Sequence, residues 1–259
     1  MENKDIMSGL AKGLATIETF TADSPRQSIA QVAAASGLDR ATARRCLLTL
    51  AHLGFADYDG KFFTLTPRIM RLGTACLATM PLPQIVQPLL DRLSDELGQS
   101  TSVSILDGDE IIYIARAAQR KVMSISLTPG SRLPAYCTSM GRVMLSALPH
   151  DQIDSMVLAD SAGLTDSTGL AARTPNTITD AAALLTELAR VRDQGYAVID
   201  QEVELGLISI AVPIYDARGR VVAALNIGLS SHHADAGQLA ALYLDKLTAI
   251  QSELRKMLL

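Results

Sequence analysis

Between Ser8 and Phe20, the apolar residues Leu10, Leu14, Ile17 and Phe20 recur at i, i+4, i+7 and i+10, the spacing of one helical face, with Ser8 placed as an N-cap. The pattern breaks at "TADSPR". Ser28 and Gln31 then stand at capping-box spacing and open a short helix, "IAQVAAA". Gly37 can take the left-handed conformation that ends it, and Asp39 can accept from the free N–H groups of the next helix. On that third helix Ala43, Cys46, Leu47, Leu50 and Leu53 form one apolar stripe, while Ala41, Arg44, Arg45, Leu48 and His52 face away. The run "FADYDGKFFTL" reads as two short strands joined at Asp59 and Gly60, with Lys61 at the tip.

A hairpin directly after helix-turn-helix predicts a winged helix over residues 8–66. A segment with helical period follows over 67–81, where it serves as a linker helix. From Leu82 the pattern changes, and Ile85, Leu89, Leu93 and Leu97 mark a helix that opens a second domain, 82–259. There, strand-like runs "STSVSIL", "EIIYIARA", "VMSISL", "YAVID", "LISIAVPIYD" and "VVAALNIGLS" mix with helical "SMGRVMLSAL", "DQIDSMVLA", "DAAALLTELARVRDQ" and a closing run from Asp235 to Met257. Turn signals at 107–109 and 216–219 join consecutive strands, so the sheet should be antiparallel with helices flanking it, an α+β class.

Charge sharpens the division. The net charge is -4, yet residues 1–80 hold 9 Lys and Arg against 7 Asp and Glu, and residues 81–259 hold 14 against 20. A basic front on an acidic body confines any polyanion contact to the winged helix. Arg can fork to guanine, and a small residue such as Ala41 leaves room for close approach to the groove. The candidate contacts to a DNA duplex are Arg26, Ser28, Arg40, Ala41, Thr42, Arg44, Arg45 and Lys61. With 4% aromatic residues and no Trp, a single-strand stacking platform is disfavoured.

The three cysteines, Cys46, Cys76 and Cys137, are scattered in apolar pattern and suggest neither disulfides nor a thiolate zinc site. With no apolar run of about 18 residues and no export signal, a cytoplasmic protein without membrane contact is expected. The common nucleophile, dinucleotide, phosphate-loop and zinc motifs are absent, so neither cofactor nor metal is expected. A loop rich in hydroxyls, Thr128 to Ser139, runs into a helix start and suits an organic anion: Arg132 offers a fork, and Tyr136, Thr138 and Ser139 offer hydroxyls. Arg132 paired structurally with Asp200, Glu202 or Glu204 is the competing reading. An enzyme, a hydrolase or transferase using Cys137 or Ser139, stands as the alternative to a regulator.

The stretches "IAQVAAASGLDRATARRCLLTLAHLGF", "LPAYCTSMGRVMLSAL" and "DQEVELGLISIAVPIYDARGRVVAALNIG" resemble the IclR-type transcriptional regulators. More narrowly, "RLPAYCTSMGR" and "DQEVELGLISIAVPIYD" resemble the subgroup that controls aromatic-acid catabolism through the β-ketoadipate pathway. The resemblance implies a GAF-like effector domain, a dimer or dimer of dimers, operator DNA as partner, and an effector such as protocatechuate, 4-hydroxybenzoate or β-ketoadipate. It implies effector residues at Ser139, Met140, Asp200, Ile210, Asn226 and Gly228. Asn226 and Gly228 replace two serines of the glyoxylate/pyruvate-responsive member, which argues against a very small keto acid. Arg132 for the carboxylate, with Met123, Ile125, Met140 and Ile210 as apolar walls, completes the expected site.

Overall fold

A computed structural model of the protein describes residues 6–21, 23–73, 81–119, 127–149, 151–153 and 170–258, in two units spanning 1–79 and 80–259. In the first unit, helix α1 (Ser8–Glu18) begins at Ser8 itself, after Met7, which makes no side-chain cap bond. Strand β1 (Arg26–Ser28) leads into α2 (Ile29–Ser36), where the capping box forms between Ser28 and Gln31. Gly37 ends α2 in the left-handed conformation at φ 67°. Asp39 then caps α3 (Arg40–His52) by accepting from the Thr42 amide at 2.9 Å.

The wing comprises β2 (Ala56–Tyr58) and β3 (Phe62–Leu65), and β1 adds on the far side of β3 to give a three-stranded antiparallel sheet. No apolar alternation marked β1, because three residues are too few to show a period. The hairpin tip lies one residue later than the sequence suggested: the Asp59 amide donates to the Phe62 carbonyl, so Gly60 and Lys61 turn the chain. Val32, Ala43, Leu47, Leu50, Ala56 and Phe63 form this unit's core. Leu48, which the helical wheel places outward, is half-buried and packs against that core. Within the expected linker, Pro67–Ile69 is a 3-10 turn capped by Thr66, and residues 74–80 lie outside those described.

The second unit is a three-layer α+β structure. Its sheet contains β4 (Ser100–Asp107), β5 (Glu110–Ala117), β6 (Arg132–Pro134), β7 (Ala197–Asp200), β8 (Leu207–Tyr215) and β9 (Val221–Ser230). Their order is β6-β5-β4-β9-β8-β7, antiparallel throughout. Helices α4 (Pro81–Leu97) and α7 (Leu239–Met257) cover one face through Leu90, Leu93, Leu247, Ile250 and Leu254. Helices α5 (Ser139–Ser146) and α6 (Ala181–Gln194) cover the other through Met140, Val143, Met144, Leu184 and Leu188. Alternate strand residues therefore meet different helices, and the period of two decides which side chains share a site. Of the run "VMSISL", residues 122–126 lie outside those described, as do 154–159 of "DQIDSMVLA".

Candidate functional site

Between the sheet and α5 lies a cavity of about 30 Å³, room for roughly two water molecules. Thr138 opens α5 by accepting from the Gly141 amide at 3.1 Å, which turns the helix start toward β8 and β9. The approach is close. A Cβ on Gly141 would stand 2.1 Å from the Ala135 carbonyl oxygen, so only glycine lets this turn pack there. Ser139 and Ser209 share a hydroxyl hydrogen bond of 2.8 Å at the cavity wall, and Ser104 donates to the Met140 sulfur at 3.2 Å.

Thr138, Ser139, Met140, Asn226 and Gly228 line this cavity, as expected from the sequence. Four other expected residues stand apart from this cavity. Arg132 sits on β6 with its guanidinium held by Glu110 at 2.6 Å and Asp107 at 2.7 Å, outside the cavity; the acidic partners come from the β4–β5 turn. Tyr136 is buried with its hydroxyl donated to the Ala171 carbonyl at 2.5 Å. Ile210 points to the opposite face of the sheet, among the α4 and α7 side chains, because its neighbour Ser209 takes the cavity side. Asp200, at the end of β7, is exposed and borders a separate groove with Arg142 and Glu202. Met123 and Ile125 lie outside the described residues.

The sequence reading missed Tyr113 and Arg116 on β5. Arg116 is half-buried and donates to the Ser102 hydroxyl at 2.8 Å, while its Nε is buried without a hydrogen-bond partner among the described residues. Burial lowers its pKa, the near tyrosine opposing slightly; a guanidinium remains charged all the same. Burial also raises the Tyr113 hydroxyl to about 12, so it is a neutral phenol at the cavity wall. Asn226 is 8% exposed and its Oδ1 is buried with no partner among the described residues. The available signal was one charged residue, Arg116, inside the largely apolar run "IIYIARA".

The nucleophile candidates of the alternative reading are placed otherwise. Cys137 is fully buried, which pushes its thiol up to about 11, and Ser139 bonds to another serine rather than to a base.

On the winged helix, Arg40, Ala41, Arg44 and Arg45 lie exposed along the start of α3, and Lys61 is exposed at the wing tip. Arg45 donates to the Thr42 hydroxyl at 3.3 Å. Three of the expected DNA contacts are differently engaged. Thr42 is buried at 7% exposure, and Ser28 both accepts from and donates to Gln31 in the capping box. Arg26 pairs with Asp59 at 2.5 Å and covers the Phe62 ring, which holds Asp59 well below the usual carboxylate range.

Two family models cover most of the chain: the IclR helix-turn-helix domain over residues 9–60 and the bacterial transcriptional regulator IclR C-terminal domain over 74–253. The chain belongs to the IclR family. It is accordingly a DNA-binding transcriptional regulator, and the enzyme reading falls away. Among its relatives, the Pca regulon regulatory protein of Pseudomonas putida is 43% identical over 96% of this chain and 84% of that protein. The p-hydroxybenzoate hydroxylase transcriptional activator of Acinetobacter baylyi is 36% identical over 99% of this chain and 94% of its own. A solved transcriptional-regulator structure from Rhodococcus sp. RHA1 is 39% identical with a TM-score of 0.75, each chain 98% covered. An IclR homolog from Microbacterium hydrocarbonoxydans, solved with 4-hydroxybenzoate, is 22% identical with a TM-score of 0.73, covering 96% of this chain and 98% of its own. At that identity the likeness is one of fold. Among the described residues, no helix of this IclR-family regulator is long and apolar enough to cross a membrane.

Proposed function

We propose that this regulator controls genes of aromatic-acid catabolism and that a small organic acid, in the cavity between α5 and the sheet, sets its activity. The observation that carries the reading is the half-buried cation Arg116 at a cavity otherwise walled by hydroxyls, the Asn226 amide and apolar side chains. Leaving a guanidinium partly desolvated without an anion is costly, and a carboxylate entering beside it offsets that cost. Relatives named for Pca and p-hydroxybenzoate regulation support the aromatic class. The narrow cavity requires side-chain movement to admit a ring, for which the unbranched Met140 is suited.

In this reading α3 enters the major groove with Arg44 and Arg45 toward bases or phosphates, Arg40 toward a phosphate, and Lys61 bracing the wing. The protein works in the cytoplasm as a dimer or tetramer. Leu10 and Leu14 of α1, exposed at 60% and 48%, border an apolar groove with the half-exposed Leu53 that follows α3, and this face supports pairing through the winged helices. Half-sites then lie about 34 Å apart or at multiples of it. The acid acts by binding one arrangement of the dimer more tightly than another.

A thermal-shift screen of aromatic acids and ring-cleavage products tests the effector reading. An effector present at about 100 times its Kd stabilises the fold by about 2.7 kcal/mol. A flat response to all of them would remove it.

A further inference from the structure

We propose that Arg26 is a positioning residue for DNA binding: it occupies the Asp59 carboxylate at the wing tip and thereby leaves Lys61 as the cation presented to phosphate. The proposal rests on the reading of Lys61 as the wing's phosphate contact and names what keeps that residue available.

A carboxylate at the end of a DNA-binding wing poses a problem. Asp59 stands two residues from Lys61, and both are exposed. An ammonium on a flexible four-carbon stem is drawn to a neighbouring carboxylate, and a lysine paired in that way neutralises no phosphate. In this wing the competition is settled by Arg26. Oδ1 of Asp59 accepts from the Lys61 and Phe62 amides at 2.9 and 2.8 Å, which shapes the turn. Oδ2 takes Nη2 of Arg26 at 2.5 Å. Both oxygens are engaged, and the Lys61 ammonium makes no ion pair among the described residues.

Strand register brings Arg26 to Asp59. Arg26 pairs with Thr64 across β1 and β3, and Phe62 lies two residues along on the same face, the diagonal that a long side chain can span. The guanidinium lies over the Phe62 ring, 4.2 Å from its centroid. The Lys61 ammonium lies 5.1 Å from the same centroid, so two cations gather beside one carboxylate. Between them, the planar fork stacked on the ring is already oriented and loses less freedom on pairing than the lysine stem does. The turn itself does not depend on this pair. Besides the two amides held by Oδ1, the Tyr58 hydroxyl donates to the Gly60 carbonyl at 2.7 Å, and the Tyr58 ring stacks on Phe63 at 4.3 Å. The charge role of Arg26 is therefore separable from the folding of the wing.

Fluorescence-anisotropy titration of the full-length chain with a duplex from upstream of its own gene, repeated at several salt concentrations, tests this. Lys61→Ala should reduce the slope of log affinity against log salt by about 1 and weaken binding about 5-fold at about 0.15 M salt, the effect of one lost phosphate contact. Arg26→Met should lower the slope equally, because Asp59 then captures Lys61. Lys61→Ala combined with Arg26→Met should show the slope of either single variant. Asp59→Asn keeps an oxygen for the turn and removes the charge; added to Arg26→Met it should restore the wild-type slope, a rescue that a merely structural role for Arg26 does not give. A slope lowered by about 2 in the Lys61→Ala, Arg26→Met variant would mean that Arg26 holds a phosphate of its own and would overturn the proposal. So would a wild-type slope in Arg26→Met, or a lowered slope that Asp59→Asn fails to restore. A wild-type slope in Lys61→Ala alone would instead remove the reading of the wing as a phosphate contact, and this proposal with it.

Discussion

Arg142 of α5 reaches Glu202, in the β7–β8 connection, at 2.5 Å, with both side chains buried. The same guanidinium donates from Nε to the Tyr136 carbonyl, and Glu202 also accepts from the Ile178 amide at 3.1 Å. This buried network ties the helix that roofs the cavity to the loop beside it. Glu187 stands 3.8 Å from Arg142 as a second, longer ion pair, whereas removing Arg142 leaves the Glu202 charge buried without its cation.

Arg142→Met is therefore expected to destabilise the protein by about 3–5 kcal/mol, read as a lower urea midpoint. Replacing both partners, Arg142→Met with Glu202→Leu, should recover much of that loss. A double variant as weak as the single one would show that the network contributes through more than charge pairing.

Gly141 gives a steric test. With a Cβ 2.1 Å from the Ala135 carbonyl oxygen, Gly141→Ala must displace α5 or the preceding loop. A loss of about 1–3 kcal/mol is expected in thermal or denaturant unfolding, together with a weakened response to acids. Gly237→Ala, at a position with nothing within 4 Å, is the control and should change little.

Alkaline pH tests the burial of Cys137 and Tyr113. The thiol is raised from 9.0 to about 11 and the phenol from 10.0 to about 12, so between those values the unfolded chain loses protons that the folded chain keeps. The unfolded state then binds fewer protons, and stability falls as pH rises. The contribution should be intact below about pH 9 and decline progressively toward pH 12, as measured by urea midpoints. Cys137→Ala should flatten the lower part of that decline.

The DNA face predicts two kinds of loss. Lys61→Ala, at the wing tip, should weaken binding similarly on all sequences and reduce the salt slope by about 1, as removal of a phosphate contact does. Arg44→Ala should cost about 1–3 kcal/mol on the operator and relax its sequence preference. Competition binding at several salt concentrations separates these outcomes.

Local signals account for what the sequence revealed. Ser28 with Gln31, Gly37 and Asp39 each act within four residues of themselves, and the structure carries all three as read. Strand parity was legible too, since Ser209 and Ile210 alternate, but which parity faced α5 depended on the whole sheet. Ile210, which the family resemblance implies as an effector residue, therefore faces α4 and α7. Arg132 misled for a similar reason. Its loop carried hydroxyls near a helix start, whereas its acidic partners, Asp107 and Glu110, are brought over by a hairpin distant in sequence. Arg116 joins Asn226 only through the pairing of three strands, a relationship no local pattern encodes.

In vitro transcription from the promoter adjoining the protein's own gene reads out whether an acid in this cavity governs transcription. With purified polymerase and saturating 4-hydroxybenzoate or protocatechuate, we expect a several-fold change in transcript with the wild type. With Arg116→Met we expect no change at that concentration, while operator binding persists. A transcript level that stays constant while the wild-type protein binds both acid and operator would contradict the claim.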